Sequence, residues 1–250
     1  MARIARVVVP DFPHHVVQRR GEKGATHEKA AVKSLSALDK KIELFQAVLC
    51  KVGTHLGGHR MASTFPQSIP RGRIILTYDD YRLLPDDRNR YEILDGELSA
   101  TPAPSIKHQR ISGRLYLILA NHIFANHLGD IYTAPTDLIL APTTVAQPDL
   151  IFIGNDRRHI VTERAIEGSP TLLIEILSPS TNRTDRLTKA QLYAKHQVPH
   201  YWLVDSDQQT LEAYDLVRDH YDLVVSAKDA EVFTPSLFPD LSIRLADLWQ

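Results

Sequence analysis

The chain has 250 residues, of which 43% are hydrophobic and 24% are charged, and its formal net charge is −1 at pH 7. These values are ordinary for a globular protein that buries a sizeable core, and they exclude a general polyanion-binding protein. Every apolar stretch is well short of the roughly 20 residues that a membrane-spanning helix needs, so we expect no membrane segment.

The first 60 residues carry a net positive charge, whereas the remainder is net negative. Apolar residues at three- and four-residue spacing predict one amphipathic helix over 28–50. Residues 53–72 are rich in Gly, Pro and Ser, which favours a linker. We therefore expect a loosely packed N-terminal extension over 1–60, a linker over 61–73 and one domain over 74–250. Cys50 is the only cysteine, which excludes a disulfide framework and a cysteine-based zinc site and fits a cytoplasmic protein.

The domain begins with a predicted hairpin and a long helix. The segment YEILDGEL has two short apolar runs that meet at Asp95-Gly96, a dipeptide suited to a tight turn. A helix follows, which Ser105 can cap and Gly129 can end.

Further strands are predicted over 131–140, 149–153, 171–177 and 200–205, with a helix over 185–196. Strands over 210–215 and 221–225 form a meander. This order of elements predicts the α/β class, with a mixed β-sheet flanked by helices.

Two carboxylates stand out because they lie in or beside apolar strands. Glu175 interrupts the run LLIEIL, and Asp149 directly precedes the strand LIFI. Burying an ionised carboxylate is costly unless a cation or hydrogen bonds compensate it. Two carboxylates on neighbouring strands can share a divalent cation, and their oxygen atoms suit Mg²⁺ or Mn²⁺.

A third group is needed to orient water and to stabilise developing charge. Lys189 can supply it from the following helix, and Tyr193, one turn later, shares its face. The alternative is that Asp149 caps a strand and that Glu175 and Lys189 form a structural ion pair. The spacing alone leaves both interpretations open.

Six segments together resemble the Uma-two family of endonucleases, which has the restriction-endonuclease-like PD-(D/E)XK fold. The resemblance covers residues 74–250, with the segments in family order. They are YEILDGEL, SIKHQRISGRL, QPDLIFI, LLIEILSPST, KAQLYAKHQVPHYWLVD and LFPDLSIRLADLW.

The resemblance implies roles for individual residues. Asp149 matches the motif aspartate, Glu175 the second acidic residue, and Glu97 the upstream acidic position, a further metal ligand. The usual lysine two positions after the second acid is Leu177 here, and Lys189 matches the lysine that this family places on the helix. The expected metal is Mg²⁺ or Mn²⁺, with the backbone carbonyl of Ile176 as an additional ligand.

Three further residues are candidates for substrate binding, together with Tyr193. His108, early in the long helix, can contact a phosphate or transfer a proton, although a surface histidine is the plainer interpretation. Arg183 and Arg186 follow the strand of Glu175 and can hold phosphates, although arginines in loops are also often just solvated.

The first 20 residues separately resemble the start of the REP-associated tyrosine transposases. The His-hydrophobic-His motif and the tyrosine segment of those enzymes do not follow. We interpret residues 1–60 as a relic of such a start, with Met61 as an alternative start. The other interpretation is a genuine amphipathic accessory segment.

Two function classes follow from this pattern. The first is a metal-dependent endonuclease that acts on nucleic acid, with DNA as the expected form, and by analogy it would be a homodimer. The second is a binding or assembly module that retains the fold without turnover. A transposase is a third class, which the missing tyrosine segment disfavours.

Overall fold

The computed structural model describes residues 75–85, 89–178 and 184–250. Several predictions concern residues outside these ranges. They are the N-terminal extension with its helix over 28–50, the transposase-like start, Cys50, the linker over 61–73 and the role of Arg183.

The described residues form four α-helices, a 3-10 helix and thirteen strands. The α-helices are α1 (Tyr78–Tyr81), α2 (Ile106–Ala125), α3 (Ala190–Lys195) and α4 (Ala246–Trp249). The 3-10 helix spans Asn155–Ile160, and a π-helical turn over Thr184–Lys189 leads directly into α3. The strands are β1 (Arg90–Leu94), β2 (Glu97–Thr101), β3 (Gly129–Thr133), β4 (Leu138–Ala141), β5 (Thr144–Ala146), β6 (Leu150–Gly154), β7 (Ile166–Glu167), β8 (Leu172–Leu177), β9 (His200–Asp205), β10 (Thr210–Val217), β11 (His220–Lys228), β12 (Val232–Phe233) and β13 (Ile243–Arg244).

Two larger sheets contain most of the strands. The six-stranded sheet has the order β11-β10-β9-β8-β6-β3, and it is mixed because β8 and β9 are parallel while its other pairs are antiparallel. The five-stranded sheet has the order β2-β1-β5-β4-β7, and β12 pairs with β13 alone. The predicted mixed α/β fold is confirmed.

The sequence predicted one sheet, whereas the structure divides the strands between two larger ones. The predicted strand over 131–140 is in fact β3 and β4, separated at Ala134-Pro135. Proline cannot donate a hydrogen bond to a neighbouring strand, so it interrupts the pairing. As a result β3 joins the six-stranded sheet and β4 joins the five-stranded one.

The hairpin of β1 and β2 forms as predicted. Leu94 pairs with Glu97, which leaves Asp95 and Gly96 as a two-residue loop. Both residues have positive φ, 51° and 83°, as a tight hairpin turn of this kind requires.

Helix α2 begins as predicted but ends earlier. The Ser105 side chain accepts a hydrogen bond from the His108 N–H at 3.2 Å, which caps the first turn. The helix ends at Ala125, and His127 rather than a glycine adopts the positive φ of 52° that follows it. Gly129 belongs to β3.

The core lies on both faces of the six-stranded sheet. Leu172, Ile174 and Ile176 of β8 belong to the cluster that includes α2, whereas Leu173 and Leu177 belong to a cluster on the opposite face. Because side chains alternate along a strand, Glu175 lies on the same face as Leu173 and Leu177. Within the described ranges, every helix is too short or too polar to cross a membrane.

Candidate functional site

Asp149 and Glu175 are brought together by the pairing of β6 with β8. Leu150 pairs with Ile174 in this antiparallel register, so Asp149 lies next to Glu175 across the two strands. Both residues are buried, with exposures of 4% and 2%. The structure thus places Asp149, which directly precedes β6, beside Glu175 of the neighbouring strand β8.

Asp149 accepts hydrogen bonds from three directions. Arg90 Nη1 lies 3.0 Å from Oδ1, His108 Nε2 lies 3.0 Å from Oδ2, and the backbone N–H of Ile176 donates to Oδ2 at 2.8 Å. Burial alone would raise the pKa of Asp149, but the His108 hydrogen bond, the Arg90 charge and the Ile176 N–H together lower it to about 2. Asp149 is therefore ionised at neutral pH.

Glu175 faces the π-helical turn and α3. Its Oε1 lies 3.0 Å from Lys189 Nζ and accepts a hydrogen bond from the Tyr193 hydroxyl at 2.8 Å. Burial raises the pKa of Glu175, the Lys189 ammonium opposes this, and the nearby carboxylates reinforce it, so the pKa is about 8.

Lys189 is shared by three carboxylates. Besides Glu175, its Nζ lies 2.9 Å from Glu92 Oε1 and 3.3 Å from Asp185 Oδ1. Burial opposes the charge of Lys189, but these carboxylates outweigh the effect of burial and hold the pKa of the ammonium well above its usual range.

Glu92 also accepts a hydrogen bond from the Gln147 backbone N–H at 2.9 Å. For Glu92, Lys189, Arg90 and this hydrogen bond outweigh burial and lower the carboxyl pKa.

The cluster gathers four carboxylates in one place. Glu92, Asp149, Glu175 and Asp185 are all buried, and Arg90 and Lys189 contact them. Burial raises the pKa of Glu175 most, and the neighbouring carboxylates raise it further, because protonation removes one negative charge from the cluster. A bound divalent cation would also offset negative charge there.

A cavity of about 220 Å³ opens onto this cluster, which we call the acidic cavity. Its lining includes all four carboxylates, both permanent cations and His108. Among residues 75–85, 89–178 and 184–250, no three histidine, cysteine or carboxylate side chains are arranged to hold a metal ion. The carboxylates point instead at Arg90, His108 and Lys189, which is the ion-pair arrangement of the alternative interpretation.

The structure places the other predicted site residues as follows. Glu97 is exposed at the start of β2 and does not line the acidic cavity. Tyr193 is fully buried and donates a hydrogen bond to Glu175, so it orients that carboxylate and does not face a substrate.

The last two predicted residues have other partners. Arg186 lies 2.7 Å from Glu212 and 3.4 Å from Asp205, and it lines a different cavity. Ile176 contributes its N–H to Asp149.

Sequence reasoning missed Glu92, Asp185 and Arg90. Glu92 carries the same signal as Glu175, because it interrupts the apolar strand RYEIL and is 3% exposed. Asp185 precedes Lys189 by four residues on a helical turn, a spacing that favours an ion pair. Arg90 had no comparable signal, because its role depends on the approach of β1 to Asp149.

A comparison with family models identifies one match to this chain. The model is Uma2, described as "Putative restriction endonuclease", and it matches residues 78–246. This range contains Asp149, Glu175, Lys189 and Glu92.

Comparisons with individual proteins agree with this match. An uncharacterized protein of Synechocystis sp. is 31% identical over 131 residues, which are 51% of this chain and 66% of that protein. The chain therefore spans slightly less than two thirds of that relative's length. The crystal structure of a "putative nuclease belonging to DUF820" from Anabaena variabilis is similar with a TM-score of 0.58 and 21% identity, covering 70% of this chain and 97% of that one. At this identity the similarity shows a shared fold.

Proposed function

Because the matching model covers more than half of its length, the chain belongs to the Uma2 family, and we propose that it is a metal-dependent endonuclease that hydrolyses nucleic-acid phosphodiester bonds. The observation that carries this proposal is the acidic cavity. Four buried carboxylates line it together, beside Arg90, His108 and Lys189. DNA is the substrate that the family description favours.

The chemistry of the donor atoms suits a magnesium or manganese ion, although the carboxylates face Arg90, His108 and Lys189 in this arrangement. Carboxylate oxygens are the ligands that these hard cations prefer. Asp149 and Glu175 would hold the metal, with Glu92 as the third acidic group, since Glu92 lines the acidic cavity and Glu97 does not. A cation bound there supplies Lewis-acid polarisation of a phosphate ester.

The surrounding side chains have distinct tasks in this proposal. Lys189 offers a buried ammonium that can stabilise negative charge developing on the phosphate. The Tyr193 hydroxyl fixes the orientation of Glu175. Arg90 and His108 hold Asp149 in place and keep it ionised, because both contact its carboxylate.

A second candidate is a nucleic-acid-binding or assembly module without turnover. It is favoured by the ion pairs themselves, since Lys189 has carboxylate partners at 2.9, 3.0 and 3.3 Å. The two functions differ in one result, because only the endonuclease cleaves.

The test is cleavage of single- and double-stranded DNA and RNA by the full chain, with Mg²⁺ or with EDTA. We expect Mg²⁺-dependent cleavage that Asp149→Ala abolishes. Asp156→Ala is the matched control, because the Asp156 side chain is 78% exposed on the 3-10 helix. Absence of cleavage on every substrate would overturn the endonuclease, and binding without cleavage would establish the second candidate.

A further inference from the structure

A second cavity adjoins the acidic cavity and has a different chemistry. It has a volume of about 600 Å³, within the range of ligand sites. Arg90, His108 and Asp149 line both cavities. A nucleotide whose phosphate lies at Asp149 would therefore have this second space beside it.

The lining of this second cavity suits a nucleobase better than a phosphate. Tyr81, Tyr91 and Tyr116 contribute aromatic rings, and Asn89 and Gln109 contribute amide groups, whereas the Gln147 side-chain amide donates to Tyr81 and Asp137. Lysine is absent from its described lining. Aromatic faces bind bases by stacking, and amides match the donors and acceptors of base edges. We call this space the tyrosine cavity.

Helix α2 presents one continuous face to the tyrosine cavity. Gln109, Ser112, Gly113 and Tyr116 all line it, at the spacing of successive helical turns. A Cβ added at Gly113 would meet no atom within 4 Å. Glycine is a poor helix former, and no packing against residues 75–85, 89–178 or 184–250 explains it at this position. Close approach of a ligand to the helix backbone would explain a glycine at this position.

The first half of α2 is positively charged, which suits a nucleic-acid strand, although Lys107 pairs with Asp207 at 2.9 Å. The 20 residues of the helix contain no Asp or Glu, and the first half contains Lys107, Arg110 and Arg114. Lys107 and Arg110 are exposed. In addition, Nδ1 of the buried His108 has no hydrogen-bond partner among the described residues, although the side chain lies where the two cavities meet.

We propose that the tyrosine cavity binds one unstacked nucleobase next to the phosphate at Asp149, so that the substrate is single-stranded or locally opened nucleic acid. This rests on the proposed function, since it takes the phosphate site from it. A base inside a duplex is paired and stacked, so it can enter a cavity lined by aromatic rings only after leaving the stack. The open space over Gly113 is where the nucleotide passes the helix.

The test is binding of the full chain to a fluorescent single strand, to the matching duplex and to an abasic oligonucleotide of equal length. Binding is measured with Ca²⁺ and again with EDTA. Gly113→Leu places a side chain in the open space, and its Cβ has no close neighbour among the described residues outside its own helix turn. Asn121→Leu is the matched control, exposed on the same helix and outside the cavity lining. Tyr116→Phe retains the aromatic face, and Tyr116→Ala removes it.

Wild type should prefer the single strand over both the duplex and the abasic oligonucleotide. Gly113→Leu and Tyr116→Ala should bind the single strand on the order of tenfold to a hundredfold more weakly, the range expected for loss of one stacked base. Gly113→Leu should also no longer distinguish the abasic oligonucleotide, while Asn121→Leu and Tyr116→Phe should behave as wild type.

The proposal is overturned if wild type binds no single strand in either condition, or if Gly113→Leu binds it as tightly as wild type. Cleavage by wild type, assayed in parallel, separates this result from the proposed function. Cleavage together with unchanged binding by Gly113→Leu would reject the tyrosine cavity alone. Base-dependent binding without cleavage would reject the endonuclease and retain the cavity.

Discussion

Lys189 Nζ lies 3.0 Å from Glu175 Oε1, and the two side chains are only 4% and 2% exposed. This pair is not isolated, because Glu92 and Asp185 contact the same ammonium. Neutralising Glu175 therefore leaves Lys189 with two carboxylate partners. Neutralising Lys189 leaves three carboxylates without their shared cation. The two partners should respond very differently to substitution.

Glu175→Gln should leave the metal-free protein as stable as wild type, or more stable, near pH 8. The substitution removes a buried charge while the amide oxygen can still accept from Lys189 and Tyr193. Wild type should gain about 2.7 kcal/mol at a Mg²⁺ concentration one hundred times Kd, and the variant should lose this gain. Thermal melts with and without Mg²⁺ measure both effects. A variant that is destabilised without metal, yet keeps the wild-type metal response, would identify a purely structural ion pair.

Lys189→Met should destabilise the metal-free protein by about 3–5 kcal/mol, because it strands buried carboxylates. Lys195→Met provides the control, since Lys195 is 59% exposed and pairs with an exposed Asp95. Its effect should lie within about 0.5 kcal/mol. Urea unfolding of both variants compares them directly, and equal stabilities would show that the charges at Lys189 are already compensated by solvent.

The sequence predicted Asp149 and Glu175 because each carboxylate stands in or beside an apolar strand. The same signal was present at Glu92, but the family match pointed to Glu97, five residues later in the same segment. The alternation of side chains along the strands does not distinguish Glu92 from Glu97. Leu94 pairs with Glu97 and Glu92 pairs with Ser99, so both acids lie on one face of the hairpin. Burial separates them, and burial depends on how the five-stranded sheet approaches the six-stranded one.

The contacts of Lys189 and Arg90 also depend on how the two sheets pack together. The contact between Lys189 and Glu92 joins the helical turn after β8 to strand β1 of the other sheet. The contact between Arg90 and Asp149 also crosses between the sheets. Local patterns predict which residues are in strands and helices, whereas these contacts depend on long-range packing that no local pattern records.

Glu92→Gln and Glu97→Gln together test which acid belongs to the site. Glu92→Gln should reduce Mg²⁺-dependent cleavage, by about tenfold to a hundredfold if it supports metal binding. Glu97→Gln should change it little, because Glu97 is exposed and outside the acidic cavity. Cleavage rates at several Mg²⁺ concentrations show whether lost activity returns with more metal. The reverse outcome, with Glu97→Gln impaired and Glu92→Gln active, would restore the assignment made from the sequence.

The stability of the metal-free protein should depend on pH through Glu175. Its pKa rises from the usual 4.5 to about 8 in the folded protein, so the folded state binds a proton more tightly than the unfolded state. The stabilisation from this proton is fully present below about pH 4.5 and is lost as the pH rises through about 8.

Asp149 affects stability in a separate, lower pH range. Its pKa falls from 3.8 to about 2 on folding, so its contribution disappears only as the pH falls through that range. Urea midpoints in EDTA should therefore decline for wild type relative to Glu175→Gln as the pH is raised from 4.5 to 8. Parallel curves for the two proteins across that window would mean that Glu175 is ionised in the folded protein, and that its neighbours already compensate the charge.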